Sequence, residues 1–289
     1  MTWVNAVVQG ILLGGLYALF ACGLSLMFGV MRIINLAHGD LAVLAAFLLS
    51  ALVDLTGMSA WAGLLIILPG AALAGYGLQR TVLTRALNGG ELAPLLATFG
   101  LAIVIQNLLL ESFSSNSRGL DAGALDTASW KISDQLTIPA LGLVVFAVAV
   151  VVLSGLQLML SHTKLGRAMR ATAADADTAG LVGIDSRAIY ARATAIAIAT
   201  AALAGVFFGM RSSFDPFSGG PRLIFAFEAV IIGGLGSLWG TLAGGVVLGV
   251  AQTVGAQIDP AYSILAGNLV FLAVLAFRQG GIFAVEARA

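Results

Sequence analysis

The sequence predicts an all-α fold, a polytopic transmembrane helix bundle of about eight or nine spans in which residues 1–289 form one domain. Of the 289 residues, 60% are hydrophobic and 10% are charged, whereas about 25% are charged in an average soluble domain. The 14 basic and 14 acidic residues are too few to cover the surface of a soluble fold of this size. The sequence lacks the alternating polarity of a transmembrane β-barrel, so we expect the spans to be helices.

Charge-free windows locate the spans. A spanning helix needs about 20 apolar residues, since each rises about 1.5 Å and the hydrocarbon core is about 30 Å thick. No basic residue precedes the first window, so we interpret it as a retained helix and not as a signal peptide. The windows are 3–31, 61–79, 92–110, 135–161, 193–210, 260–277 and a longer one at 229–258 that Gly236 and Gly240 interrupt.

Two apolar segments are too short to span the bilayer. Residues 41–53 lie between two aspartates, and such a segment reaches only about 20 Å as a helix. Residues 223–235 contain a glutamate and end in a glycine cluster. Together the two segments predict short or broken helices near 32–53 and 223–240, and such helices are typical of a transport path. The alternative is two ordinary short helices buried in the bundle.

The distribution of Lys and Arg predicts the orientation. Segments 80–91 and 161–192 are rich in basic residues, whereas the acid-rich segment 111–135 is not. Because cytoplasmic loops carry the excess of Lys and Arg, the first two are expected in the cytoplasm and the third outside. The N-terminus is then outside and the C-terminus cytoplasmic. Arg211 and Arg222 fall on the outer side, so the rule holds on balance only.

The sequence offers little to support an enzyme. It has no nucleotide-binding loop, since neither Lys131 nor Lys164 follows a glycine. The two histidines, His38 and His162, are far apart and Cys22 is the single cysteine, so we predict neither a metal site nor a catalytic residue. A net charge of zero provides no basic patch for nucleic acid.

The densest group of polar residues follows the first span. Arg32, Asn35, His38 and Asp40 fall within ten residues, and polar side chains are costly at membrane depth. They are our first candidates to line or gate a substrate pathway. The alternative is a cytoplasmic turn in which Asp40 stabilises the start of the next helix. The spacing favours neither.

Glu228 is the fifth pathway candidate. It lies in the second short segment, where it either faces the passage or stands near a helix N-terminus, a position that suits an acid. Gln106 and Asn107 are expected to form interhelical hydrogen bonds.

The segment at about 161–190 predicts a cytoplasmic docking element. Lys164, Arg167 and Arg170 recur every three residues, which places them on one helical face. A helix over Ala171–Val182 is expected to end at Gly183, a residue suited to a helix C-terminus. A simple positively charged anchor is the alternative.

Several blocks of sequence make the chain recognisable. The first, over 14–19 and 23–40, is long and specific and includes Asn35-Leu36-Ala37-His38-Gly39-Asp40. The others are 163–171 with 183–185, 226–237 and 277–283. With them the chain resembles, over nearly its whole length, the membrane permease subunit of bacterial ABC importers for branched-chain amino acids, the hydrophobic amino acid uptake family.

The resemblance implies an inner-membrane permease domain with several partners. These are a second permease, usually a different paralogue, two cytoplasmic ATP-binding subunits and a periplasmic substrate-binding protein. ATP and magnesium would bind to the ATP-binding subunits, with no cofactor in this chain. Two departures from the family pattern are the order Ala173-Ala174-Asp175, usually written with the acid first, and Gln279 in place of proline. The candidate coupling residues are Lys164, Arg167, Arg170, Ala174, Asp175 and Gly183.

Other functions stay open. Similar permeases serve urea, short amides or aromatic acids. A different class, an ion-coupled secondary transporter, would contain inverted internal repeats with a buried acid in each half, which Asp40 and Glu228 fit in part. A purely structural membrane subunit would leave the polar residues without a transport role.

Overall fold

The computed structural model describes residues 3–90, 92–133, 136–278 and 280–282. Gln279, Phe283 and Arg288, which belong to the predicted C-terminal motif and tail, lie outside the described residues. The helices are α1 (Trp3–Met31), α2 (His38–Thr56), α3 (Ala60–Leu78), α4 (Thr84–Leu87), α5 (Ala93–Phe113), α6 (Ala124–Thr127), α7 (Ala140–His162), α8 (Lys164–Ala174), α9 (Ala176–Leu181), α10 (Ser186–Arg211), α11 (Gly219–Gly233), α12 (Leu238–Ile258) and α13 (Tyr262–Phe277).

This architecture confirms the all-α bundle. In the described part of the chain, seven helical segments are long and apolar enough to cross a membrane, and α13 is a shorter apolar helix. The predicted eight or nine spans are therefore roughly matched. A five-residue π-helix, Gln79–Leu83, joins α3 to α4. The strands β1 (Ser129–Ser133) and β2 (Leu136–Pro139) pair as an antiparallel hairpin.

The bundle has two ends, which we name after the elements found there. At the hairpin end, the Gln9 side chain near the start of α1 donates a hydrogen bond to the Thr137 carbonyl of β2 (2.9 Å). At the α8 end, α7 leads into α8, which packs on α1 and α10. Helices α1 and α7 run from the hairpin end to the α8 end, and α10 runs the opposite way.

Small residues allow α1 and α12 to pack closely along most of their lengths. A side chain on Gly14 would clash with the backbone of Val246, and Gly249 packs on the Gly10 carbonyl. The four-residue glycine spacing in each helix places these residues on the contact face, as the sequence predicts.

Helix α2 begins inside the bundle. The His38 imidazole Nε2 lies 2.9 Å from the Phe20 carbonyl oxygen, which is about 16 Å from the end of α1. Arg32 ends α1 with a left-handed φ of 55°, and segment 32–37 then turns back along α1. The predicted break is therefore present in 32–37.

Helix α11 also begins inside the bundle, against α2. Gly219 packs on the backbone of Gly39 and Asp40 with no space for a side chain. The preceding segment 212–218 is held by Phe214, whose ring centroid is 4.9 Å from that of Phe47. From this meeting point α2 runs to the hairpin end and α11 to the α8 end.

The two breaks belong to an inverted structural repeat. Helices α1 and α10 cross antiparallel in the centre, and each leads through an irregular segment to a helix that starts in the interior. Helices α2 and α3 pack on α10, and α11 and α12 pack on α1. The sequence analysis gave only a partial sign of this repeat, one acid in each half, because the intervening spans of the two halves match poorly in sequence.

Three length predictions were wrong. Helix α2 has 19 residues and not 13, because its terminal aspartates lie within the helix. Segment 80–91 is helical as far as Leu87, because the polar Gln79 is buried and accepts a hydrogen bond from Thr194 (2.7 Å). Residues 136–139 form β2, so α7 begins only at Ala140, after a proline.

The break in segment 223–240 is confirmed. Helix α11 has 15 residues and ends at Gly233, and Gly234 and Gly236 have φ values of 102° and 83°. Gly240, expected to interrupt a helix, lies in the first turn of α12, where it packs against Gly233. Gly240 therefore allows close helix packing, whereas Gly234 and Gly236 form the turn between α11 and α12.

The difference in packing around two glycines predicts different effects when each is changed to alanine. Gly14→Ala should lower the thermal unfolding temperature, because overpacking costs about 1–3 kcal/mol and the new methyl group meets Val246. Gly155→Ala in α7, where nothing lies within 4 Å, should raise it or leave it unchanged, since alanine favours a helix by about 1 kcal/mol. Unfolding in detergent measures both, and equal shifts would contradict the packing argument.

Candidate translocation pathway and coupling segment

Asp40 lies where the two interior helix starts meet. It is 2% exposed in the first turn of α2, and its carboxylate accepts a hydrogen bond from Gln106 of α5 (2.9 Å). The Gly219 backbone packs against it. Asp40 therefore joins α2, α5 and α11, and Gln106 forms the interhelical hydrogen bond that the sequence predicts.

The other residues of the first polar group have different surroundings. Asn35 is fully buried, and its side-chain oxygen accepts a hydrogen bond from the Ala37 amide (3.0 Å). His38 is fully buried with its Nε2 on the Phe20 carbonyl, and its Nδ1 has no partner among the described residues. Arg32 is exposed at the end of α1. The structure thus groups Asn35, His38 and Asp40 in the interior and leaves Arg32 apart.

Glu228 is 4% exposed in α11, and its Oε2 has no hydrogen-bond partner within the described ranges. Because α11 begins at Gly219, Glu228 lies in the third turn and not near the N-terminus that the alternative interpretation required. It lies within electrostatic range of the Tyr17 hydroxyl, which donates a 2.5 Å hydrogen bond to Gln252. Tyr17 and Gln252 escaped the sequence analysis because each lies alone in an apolar window.

The sequence analysis also missed the meaning of two arginines. Arg211 ends α10 and Arg222 lies in the first turn of α11, so they flank the interior break. They were treated as exceptions to the charge rule, although basic residues beside a broken helix are themselves a signal of a polar pathway. No group of three His, Cys, Asp or Glu side chains in the described ranges is placed to hold a metal ion.

Helix α8 forms the first half of the candidate coupling segment. The Thr163 hydroxyl caps its N-terminus by accepting a hydrogen bond from the Gly166 amide (3.0 Å). Its buried face includes Met169, which packs in a cluster with residues of α1 and α10. The opposite face exposes the predicted basic residues, which are Lys164, Arg167 and Arg170. A force on α8 would therefore be transmitted to α1 just before its break.

Asp175 divides the helix predicted over Ala171–Val182 into two. It ends α8 and caps α9, since its carboxylate accepts hydrogen bonds from the amides of Asp177 and Thr178 (3.0 and 3.1 Å) and from the Thr178 hydroxyl (2.6 Å). These bonds, first that from the Thr178 hydroxyl, lower the pKa of Asp175. The cap thus remains at neutral pH and is lost only as the pH falls through that lowered pKa.

The end of α9 has the predicted glycine and an unpredicted apolar tip. Gly183 has a φ of 85°, and the Ile184 amide bonds back to the Ala179 carbonyl (3.1 Å), as at a glycine-terminated helix. Ala174 is exposed beside Asp175. Leu181 and Val182 are 87% and 75% exposed. Arg187 and Arg192, assigned to the loop, belong to α10 instead.

The capping role of Asp175 can be tested by hydrogen–deuterium exchange. Asp175→Ala should speed exchange of the Asp177 and Thr178 amides, because both lose their acceptor. Asp177→Ala is the matched control, since it removes an exposed carboxylate from the same turn but not the cap. Mass spectrometry of peptides from residues 175–185 measures the effect, and equal exchange in the two variants would contradict the capping role.

Comparison with known proteins places this architecture in a family. The family model described as branched-chain amino acid transport system, permease component, matches residues 6–277. The high-affinity branched-chain amino acid transport system permease protein BraD of Pseudomonas aeruginosa is 31% identical over 97% of this chain and 95% of its own length. The LivH permease of Escherichia coli K12 is 28% identical over 95% and 93%.

A more distant relative has an archaeal source. The probable branched-chain amino acid transport permease protein LivH of Methanocaldococcus jannaschii is 25% identical over 84% of this chain and 78% of its own length. The match to the family model covers both interior helix starts and the candidate coupling segment. The chain belongs to the permease-component family of branched-chain amino acid transport systems, and it is a multi-pass membrane transport component.

Proposed function

We propose that this chain is the membrane permease of an ATP-driven importer that moves branched-chain or related small amino acids into the cell. The observation that carries the proposal is the meeting of α2 and α11 in the bundle interior, where Gly219 packs on Gly39 and Asp40. Broken helices bring polar groups to the middle of a bilayer, where a polar substrate needs them. Asn35, His38, Asp40 and Glu228 are the proposed pathway or gate residues, with exposed Arg32 at the adjoining turn.

The proposed partners supply the energy and the substrate. Two cytoplasmic ATP-binding subunits would hydrolyse Mg-ATP, a second permease of a different type would complete the pathway, and a periplasmic protein would deliver the substrate. The α8–α9 segment supports the first of these partners. Its three basic residues and the exposed Leu181 and Val182 form an accessible surface beyond the spans, and such mixed surfaces are typical of protein interfaces.

The charge distribution supports the orientation. The α8 end carries Arg80 and Arg85 besides the basic residues of α8, whereas the loop at the hairpin end has its Arg118 paired with Asp54 (3.1 Å). By the positive-inside rule, this distribution supports an α8 end in the cytoplasm of an inner-membrane protein. The N-terminus would be outside and the C-terminus inside, since α1 begins at the hairpin end and α13 runs towards the α8 end.

An ion-coupled secondary transporter is the second candidate function. The inverted repeat, with Asp40 in one half and Glu228 in the other, is the observation that favours it. Membership of the permease family favours the ATP-driven importer, and the inverted arrangement suits either mechanism. Within the importer class, urea, short amides and aromatic acids are the alternative substrates.

Uptake by reconstituted vesicles separates these candidates. The complete complex with its binding protein should accumulate radiolabelled leucine only with internal ATP, and Asp40→Ala should reduce uptake about ten-fold or more because it removes the carboxylate at the helix meeting point. Glu111→Ala, at an exposed position on α5, is the control. Accumulation by the purified chain alone, driven by a proton or sodium gradient, would refute the ATP-driven mechanism.

Two variants on the exposed face of the α8–α9 segment test its proposed contact with the ATP-binding subunits without disturbing the fold of the permease. Arg167→Glu and Leu181→Asp should each weaken copurification of the ATP-binding subunits or uncouple ATP hydrolysis from uptake. Both side chains are exposed, so the variants should keep the elution profile of the wild-type permease. Arg85→Glu, an equal charge reversal on α4, should leave copurification unchanged. Normal coupling in both test variants would favour the simple anchor.

A further inference from the structure

A second set of polar residues lies between α1, α10, α11 and α12. Tyr17 is at its centre, 4% exposed, with its hydroxyl bonded to Gln252. Arg211, Arg222 and Glu228 all lie within electrostatic range of that hydroxyl. We call these five residues the Tyr17 cluster. It combines two cations, one anion and two uncharged polar side chains, and a further acid outside the cluster, Asp215, lies within electrostatic range of Arg222.

The Tyr17 cluster has more hydrogen-bonding capacity than it uses. Arg211 Nη1, Arg222 Nε, Glu228 Oε2 and Gln252 Nε2 are buried atoms without a partner among the described residues. No ion pair joins Glu228 to either arginine in the described ranges, where Arg118–Asp54 is the ion pair observed. Buried charges are normally paired, because an isolated charge in an apolar medium is strongly disfavoured. The unused atoms therefore indicate a ligand that carries both charges.

Two aromatic rings pack against the Arg222 guanidinium, and this contact uses none of its N–H hydrogen-bond donors. The guanidinium carbon lies 4.1 Å from the centroid of the Phe208 ring and 5.8 Å from that of Phe225. Such stacking occupies the face of the group and leaves the N–H edge available for a carboxylate. Tyr17 and Phe225 themselves stack at 5.3 Å, and Ile232 and Leu248 extend the same apolar cluster.

We propose that the Tyr17 cluster is the transient binding site for a zwitterionic α-amino acid during translocation. Arg222, with Arg211, binds the carboxylate, and Glu228 binds the ammonium group. Arg222 and Glu228 are about 9 Å apart along the axis of α11, three residues before and three residues after Phe225, so a zwitterion bound against Phe225 would lie between them. The aromatic and aliphatic neighbours accommodate an apolar side chain. This inference rests on the proposed importer function and assigns its recognition step to named residues.

One member of the Tyr17 cluster, Arg211, lines a cavity at the hairpin end. This cavity of about 280 Å³ is lined by Arg211, by Leu141 and Gly142 at the start of α7, and by Asp126 of α6. Arg211 at the end of α10 and Arg222 in the first turn of α11 flank the same interior break.

Direct binding tests this recognition. The complete transporter, without its binding protein, is placed in lipid nanodiscs, and radiolabelled leucine binding is competed with two analogues. These are 3-methylbutylamine, which lacks the carboxylate, and 4-methylpentanoate, which lacks the amino group. Each analogue should compete about ten-fold or more weakly than leucine with the wild-type complex, since each loses one charged interaction.

The variants should change the order of the competitors. In Arg222→Gln, leucine should compete no better than 3-methylbutylamine, because the carboxylate has lost its partner. In Glu228→Gln, leucine should compete no better than 4-methylpentanoate, because the amino group has lost its partner. Glu228→Asp should still bind leucine more tightly than 4-methylpentanoate, and Arg85→Gln on exposed α4 should behave as wild type. A purely structural role would weaken all three compounds by the same factor.

Three results would overturn the inference while the importer function stands. The first is equal weakening of all compounds, and the second is unchanged competition in both variants. The third is a wild-type complex that takes up leucine but shows no saturable leucine binding without its binding protein. A wild-type complex that takes up no amino acid would instead refute the proposed substrate class, and with it the inference.

Discussion

Backbone amide and carbonyl groups at the two interior breaks must find partners where no bulk water reaches them. In segment 32–37 the Leu36 amide donates to the Thr98 hydroxyl (3.1 Å), and the Ala37 amide donates to the Asn35 side chain. In segment 212–218 the backbone of Phe214 exchanges two 2.8 Å hydrogen bonds with that of Arg118. Two of the polar side chains at depth, Thr98 and Asn35, are explained by this requirement alone.

This requirement separates the polar residues into two groups. Asn35 and Thr98 satisfy the backbone, so their presence says little about a substrate. Asp40 has one side-chain partner, and the Tyr17 cluster has several atoms with none in the described ranges. Polar atoms that the fold does not consume are the ones that indicate a function, because burying them otherwise brings no benefit. Among the proposed pathway residues, Asp40 and Glu228 are therefore better supported by the structure than Asn35.

The spans and the coupling helix could be predicted because their signals are local. Charge-free windows located the membrane helices, and the three-residue spacing of basic residues located the exposed face of α8. The length of α2 could not be predicted, because Asp40 lies inside its first turn and is buried there against Gln106, 66 positions away in the sequence. The Tyr17 cluster was equally hidden, since its members come from four helices and meet only in the folded chain.

Close packing at glycines and the interior breaks are two parts of one arrangement. Gly219 lets α11 start against α2, and Gly233 lets it end against α12, so a 15-residue helix is held at both ends by backbone contact. A rocking motion that α8 transmits through Met169 to α1 would reach α11 through these contacts, because α1 packs on both α11 and α12. Helix α11 also carries Arg222 and Glu228. The force that opens the inner side would therefore move these two side chains together, relative to Tyr17 of α1 and Gln252 of α12.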